Sequence, residues 1–400
     1  MSGTGRAVHD LPVGRRVAQW RVRRNMTQQQ FADRLGKSKS RVDKVERGVR
    51  PPERMSHLRE VAEALRIDME VLLAERIGQP DVAVAGVARV RAALARYHVE
   101  ASPRPPDVAK VRARLDHAEQ SYRHARYPIL LGLLPGLLDA AREARVARPG
   151  RVADELLVSA YGLVALVLVK VGQGELAWLA ADRGMTVALA RDEARLAAVA
   201  TVPLCQALRA VGRRRSAMDA AVVAARRLPP CGSAEDALSP GADDAASLHA
   251  TLLLQAALAA AGRGDERRVP GLLDEAAAVA GQAGAGGGGF GPAAVEAARV
   301  VAEAAVGDVR AATVRHERLV RGEQWRWLPP EHRAAYLLDV ARAHALAGDL
   351  PRAGRALLDA ERTAHSEVHA RPAARDLVAA VARHAADPAG LARLAATLRV

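Results

Sequence analysis

Apolar residues recur three and four positions apart along most of the chain, the spacing of one face of an α-helix. Near the start, Val13, Val17 and Trp20 place one face on a helix over 12–24. A second helix opens with a reciprocal cap, because Thr27 can accept from the backbone three residues on and Gln30 can reach back. Phe31 and Leu35 give it an i,i+4 apolar pair, and Ala32 is small where two helices cross closely. Gly36 ends it in the left-handed region that suits glycine. Ser38 caps a third helix, in which Val42 and Val45 face the core, leaving Lys39, Ser40, Asp43, Lys44 and Arg47 outward. A fourth helix over 54–65 carries Met55, Leu58, Val61, Ala62 and Leu65. Asp68 caps a fifth that packs Val71 and Leu72.

Pro80, Pro103, Pro105 and Pro106 surround one helix over 82–99, which reads as a connector over 80–107. From Val108 to residue 400 the helical pattern is broken by glycines at 172, 212, 264, 307 and 348, separated by 40, 52, 43 and 41 residues. Such periods mark helical-hairpin repeats. The clearest unit spans 334–365 and resembles a tetratricopeptide repeat: Ala341, Gly348-Asp349, Ala353, Leu357 and Ala360 fall at that repeat's small-residue and turn spacings. Weaker copies centre on Gly172 with Ala165 and Ala177, on Gly212 with Ala217 and Ala224, and on Gly307 with Ala312. Two excursions, 228–244 and the glycine-rich 281–292, interrupt the array, and neither carries the Gly-Lys-Ser/Thr of a phosphate loop.

Composition supports an all-α protein: half the residues are apolar, mostly Ala, Leu and Val, and aromatics are 3%. The net charge of +14 is uneven. Residues 1–59 hold 15 Lys/Arg against 5 Asp/Glu, so +10 of it sits at one end, the footprint of a polyanion binder. Cys205 and Cys231 form no metal or disulfide pattern. No apolar signal core opens the chain, and the longest apolar run, 156–169, is short of the roughly 18–20 residues that span a bilayer. A reduced, cytoplasmic, nucleoid-associated protein without a membrane partner is expected.

Residues 13–73 resemble the phage-repressor (Xre/Cro-like) DNA-binding domain, a lambda-repressor-like unit of five helices. The resemblance rests on Arg21, Thr27-Gln28, Phe31-Ala32, Leu35-Gly36, Ser38, Val42, Val45-Glu46-Arg47-Gly48, Ala62, Leu65 and Leu72. It implies a DNA-binding domain over 1–79 with a recognition helix in the major groove of double-stranded DNA. Carried over by position, Gln28 contacts the DNA backbone, Ser38, Lys39, Ser40, Asp43 and Lys44 face base edges or nearby phosphates, and Arg47 touches phosphate. Lysine favours guanine O6 and N7. Asp43 could accept from cytosine N4, but orienting Lys39 or Lys44 is the better reading. Arg21 and Glu46 match a structural pair tying the first helix to the third. Two departures stand out: Lys37 replaces an apolar turn residue and so is exposed or reaches a phosphate, and the loop over 49–53 is one residue longer than is usual in the family.

A helix-turn-helix followed by tetratricopeptide-like repeats over 108–400 resembles two bacterial groups, the peptide-pheromone regulators of Gram-positive bacteria and the actinobacterial regulators of development and secondary metabolism. The Ala/Arg/Gly-rich composition fits the second better. Either implies a homodimeric transcriptional regulator on a near-palindromic operator, whose repeats dimerise and sense a peptide, small molecule or protein. The alternative is a scaffold that recruits a partner protein to DNA without sensing. His117 and His124 share a helix face near Tyr122 and Tyr127, but no zinc pattern accompanies them. Trp325 and Trp327 read as a packing cap on the clearest repeat; Tyr97-His98 and Trp178 read the same way. With no Ser/His/Asp or Cys/His set at informative spacing, neither a catalytic site, a metal nor a cofactor is expected.

Overall fold

The computed structural model describes residues 13–23, 26–47, 55–65, 80–97, 105–228, 242–282, 291–384 and 390–400. Among them every regular element is helical. Two compact units divide the chain, Met1–Val82 and Ala83–Val400. In the first, α1 (Val13–Arg23), α2 (Gln28–Arg34), α3 (Lys39–Glu46) and α4 (Met55–Leu65) enclose Val17, Met26, Phe31, Ala32, Val42, Val61, Ala62 and Leu65. Trp20 and Leu35 pack half-buried against that core. The expected helix after Asp68, with Val71 and Leu72, and the loop over 49–53 lie outside the described residues.

Helix α5 (Pro80–Leu94) buries Val90, Ala93 and Leu94 in the core of the second unit. Gly86 makes the approach possible: a Cβ there would stand 2.8 Å from Cβ of Leu131. Side chains of the second unit also reach the carbonyls at the end of α5, where helical partners run out. Arg142 Nη1 donates to the Ala93 carbonyl at 2.7 Å, and Arg183 donates to that of Leu94.

Six helical hairpins follow. They are α6 (Val108–Arg123) with α7 (Tyr127–Ala147), α8 (Arg151–Lys170) with α9 (Gly174–Leu189), and α10 (Ala194–Ala210) with α11 (Arg214–Arg227). Then come α12 (Ala242–Ala261) with α13 (Val269–Gln282), α14 (Pro292–Ala305) with α15 (Val309–Arg321), and α16 (Pro330–Leu346) with α17 (Leu350–Thr363). A 3-10 turn, Glu323–Trp327, precedes the last hairpin; α18 (His365–His369), α19 (Pro372–His384) and α20 (Leu391–Leu398) follow it.

One turn joins every hairpin. Gly172, Gly212, Gly264, Gly307 and Gly348 have φ of 75°, 78°, 73°, 97° and 78°. The next amide reaches back five residues, as from Gln173 N to Leu168 O at 2.8 Å and from Asp349 N to His344 O at 2.9 Å, which satisfies an orphan carbonyl of the first helix. In the last two hairpins the following residue also caps the second helix. Asp308 accepts from Ala311 N and Asp349 from Arg352 N, each at 3.0 Å. The α6–α7 turn has the same form, Arg126 N to Ser121 O at 2.9 Å, but its left-handed residue is Ala125, with φ of 54°.

The small residues expected at helix crossings are buried, including Ala165, Ala177, Ala217, Ala312, Ala341, Ala353 and Ala360. The apolar run over 156–169 forms α8, a core helix. Among the described residues two helices, Arg151–Lys170 and Asp244–Ala261, are long and apolar enough to cross a membrane, and both bury most of that length in the unit. Of the two expected excursions, 229–241 and 283–290 lie outside the described residues; helices take the edges of both, α12 from Ala242, α13 to Gln282 and α14 from Pro292.

Candidate nucleic-acid interface

The segment from Thr27 to Arg47 is held in shape by caps at each break. Thr27 Oγ1 accepts from Gln30 N at 3.1 Å, and Gln30 Oε1 accepts from Thr27 N at 2.9 Å. Two orphan donors at the start of α2 are thereby satisfied. Gly36, with φ of 60°, reverses the chain after α2. Ser38 Oγ accepts from Arg41 N at 3.3 Å to begin α3.

A buried charge fixes α3 against its neighbours. Glu46 accepts from Arg21 in two places, Nε to Oε1 at 2.6 Å and Nη2 to Oε2 at 3.1 Å. Arg21 also donates to the Met26 carbonyl at 2.7 Å. Gln28 Nε2 donates to Glu46 Oε2 at 2.8 Å. The arginine fork and the amide together satisfy a carboxylate that is almost wholly out of water. Gln28, expected from sequence at the DNA backbone, thus stands at the start of α2 with its amide turned inward to Glu46.

Helix α1 meets the end of α3 at Gly14, where a Cβ would lie 1.9 Å from the Val45 carbonyl oxygen. Backbone cannot yield as a flexible side chain does, so Gly14→Ala is expected to cost about 1–3 kcal/mol or more. The readout is faster amide exchange across α1 and α3 in the intact chain; unaltered exchange would show that the helices part freely.

Val42 and Glu46 face inward, Val45 is half-buried, and the opposite side of α3 is open. Ser40, Lys44 and Arg47 follow i, i+4, i+7 and form one stripe. Lys39 and Arg41 flank it, and Lys37 and Ser38 stand exposed at the turn before it. Asp43 pairs with Arg47, Oδ2 to Nη2 at 2.9 Å, not with Lys39 or Lys44. The exposed face therefore sets five cations (Lys37, Lys39, Arg41, Lys44, Arg47) against one paired carboxylate. Arg41 was missed by sequence reasoning; its exposed place between Ser40 and Val42 is the signal that would have found it.

Residues 17–72 match the helix-turn-helix family. The Xre-like helix-turn-helix stands at the N-terminus, and the described residues of the second unit form helical repeats. No curated protein matches the chain. Among solved structures, similarity extends to PlcR of Bacillus thuringiensis in complex with the peptide PapR7 and DNA, at 12% identity and a TM-score of 0.30, over 78% of this chain and 99% of that one. Aspartyl phosphate phosphatase F of Bacillus subtilis is similar at 11% identity and a TM-score of 0.44, over 91% and 96%. Apo ComR, the competence regulator of Streptococcus vestibularis, is similar at 14% and 0.32, over 86% and 99%.

Beyond the helix-turn-helix, the second unit holds a buried polar cluster. Lys170, at the end of α8, donates to Glu331 of α16 and, at 2.8 Å, to Oε1 of Glu367 in α18. Arg371 Nη1 donates to Glu367 Oε2 at 2.6 Å. The Tyr127 hydroxyl donates to Glu367, and that of Tyr122 to Glu331 at 3.4 Å. Burial alone would raise the Glu367 carboxyl, but Lys170 and then Arg371 outweigh it and hold it below the usual carboxylate range. Burial pushes both tyrosines well up, so they remain donors. Burial also lowers His332 beside the cluster.

The other residues singled out from sequence lie apart from this cluster. His117 and His124 are exposed, and His124 Nδ1 stands 2.9 Å from the Gln120 carbonyl. Cys205 is buried with Sγ 3.2 Å from the Ala217 carbonyl, and burial pushes its thiol up to about 12. Trp325 packs edge-on against Tyr336 at 5.3 Å, whereas Trp327 is 81% exposed and so does not act in the expected cap. Arg213 covers Trp178 at 5.2 Å and Arg183 covers Tyr97 at 4.6 Å. Cys231 and His98 lie outside the described residues.

Proposed function

We propose that the protein is a cytoplasmic, homodimeric, sequence-specific transcriptional regulator whose helical repeats dimerise and sense a peptide or small molecule. The observation that carries the DNA-binding part is the open cationic stripe of α3, held by buried contacts at Glu46 and Gly14. Lys39, Ser40 and Lys44 are assigned to base edges, and Lys37, Ser38, Arg41 and Arg47 to the phosphates beside them. Asp43 orients Arg47. Gln28 serves the DNA backbone only through the N-terminus of α2, its side chain being engaged.

Energetics favour two copies. A good base contact discriminates by about 1–3 kcal/mol, and one short stripe offers few of them. Specific binding exceeds non-specific by about 4–10 kcal/mol, which two half-sites near one helical turn apart, about 10 bp, supply.

The experiment is a salt titration of binding to a selected operator and to random duplex. A regulator shows an operator advantage of several kcal/mol that survives at raised salt. Equal affinities with the same steep salt slope would replace this reading with that of a scaffold that brings a partner protein to DNA.

A further inference from the structure

We propose that Glu361, His365 and His369 form a binding site for one divalent transition ion of the zinc class. They lie four residues apart, as on one face of a continuous helix, but the helix is not continuous. Ala364 breaks it with φ of −153° and ψ of 97°, so Glu361 lies in the last turn of α17 while His365 opens and His369 ends α18. One ligand atom of each residue lies within 4.8 Å of the other two. Glu361 Oε1 stands 3.0 Å from His365 Nδ1 and 3.8 Å from His369 Nε2. Around a tetrahedral ion with bonds near 2.0–2.1 Å the ligand atoms would be about 3.3 Å apart, a change within reach of side-chain rotation.

The second observation is an orphan. The His369 side chain is 6% exposed, yet its Nε2 has no hydrogen-bond partner, since 3.8 Å to Glu361 is too long. A buried nitrogen left unpaired costs free energy, and this one is aimed at the carboxylate that also holds His365. His365, 43% exposed on its side chain, leaves an entry path and room for a water as fourth ligand. Two imidazoles with one carboxylate suit zinc, nickel or copper and not magnesium or calcium. Arg375 opposes the ion by its charge, but Nη2 of its guanidinium is engaged by the Leu398 carbonyl at 3.2 Å.

The position gives the site a consequence. His365 and His369 flank Glu367, the residue on which Lys170, Tyr127 and Arg371 converge. An ion drawing Glu361 and His369 together would pin α18 across the break at Ala364, and so steady the buried cluster behind it.

The test uses the full chain, stripped by chelator, and does not involve DNA, so it succeeds or fails apart from the regulator reading. Zinc is titrated by calorimetry, and cobalt(II) by its visible d–d bands. One ion per chain is expected, with slower amide exchange over 361–371. Both His369→Gln and the exposed His365→Asn, which leaves the core untouched, should weaken uptake by more than about 100-fold. No uptake at micromolar zinc, or uptake unchanged in H365N, would overturn the proposal.

Discussion

Lys44→Ala and Lys39→Ala are each expected to lower affinity for the operator by about 1–3 kcal/mol, and the double variant to bind it little better than random duplex. Both side chains are exposed on α3 and neither is used in an ion pair that holds the fold. Helix content and thermal stability should therefore stay as in the parent chain. The two kinds of contact separate in the measurement. A lysine on guanine relaxes sequence preference at one base pair, whereas a lysine on phosphate weakens every sequence alike and lowers the salt slope by about 1. Footprinting with base-substituted operators reads the difference. Unchanged operator affinity in both single variants would end the assignment of α3 as the reading helix.

The second large effect is in the repeats. Lys170→Met is expected to destabilise the second unit by about 3–5 kcal/mol, because it leaves Glu331 and Glu367 buried with one cation fewer. Lys170 and Glu367 are almost wholly out of water, with side-chain exposures of 7% and 0%. Removing Glu331 as well, in the Lys170→Met/Glu331→Gln double variant, restores the charge balance with Arg371 facing Glu367. A substantial part of the lost stability should return, as coupling between contacting residues requires. Chemical denaturation of the four chains closes the cycle. A single-variant cost under about 1 kcal/mol would show that water reaches the cluster and neutralises its importance.

Local chemistry made much of the chain legible. Thr27, Gln30, Gly36 and Ser38 announce their turn because caps and left-handed residues have few substitutes. The five glycines announce five hairpins for the same reason. The first hairpin was hidden because Ala125 occupies the left-handed position, a conformation alanine rarely takes. Nothing local marks Gly14, because the Val45 carbonyl that excludes a side chain there belongs to another helix. Gln28 shows how position and orientation differ: its place on α2 follows from sequence, but its amide is claimed by Glu46, 18 residues away. The charged cluster was least legible. No local pattern marks Lys170, Glu331 and Glu367, because the contacts that join them to one another and to Tyr127 span 161 to 240 residues. Glu361, His365 and His369 are interrupted by a helix break that periodicity does not reveal.

Repeat arrays ordinarily fold by adding neighbour to neighbour. Lys170 denies this chain that freedom. During synthesis, at about 5–20 residues per second, the ribosome needs roughly 10–40 s after making Lys170 to deliver Arg371. For that interval Lys170 has neither Glu331 nor Glu367, so its end of α8 stays in water and reaches its final burial only when the last helices arrive. The helices made last thus complete a hairpin made near the middle of the chain, through the contacts of Glu331 and Glu367 with Lys170.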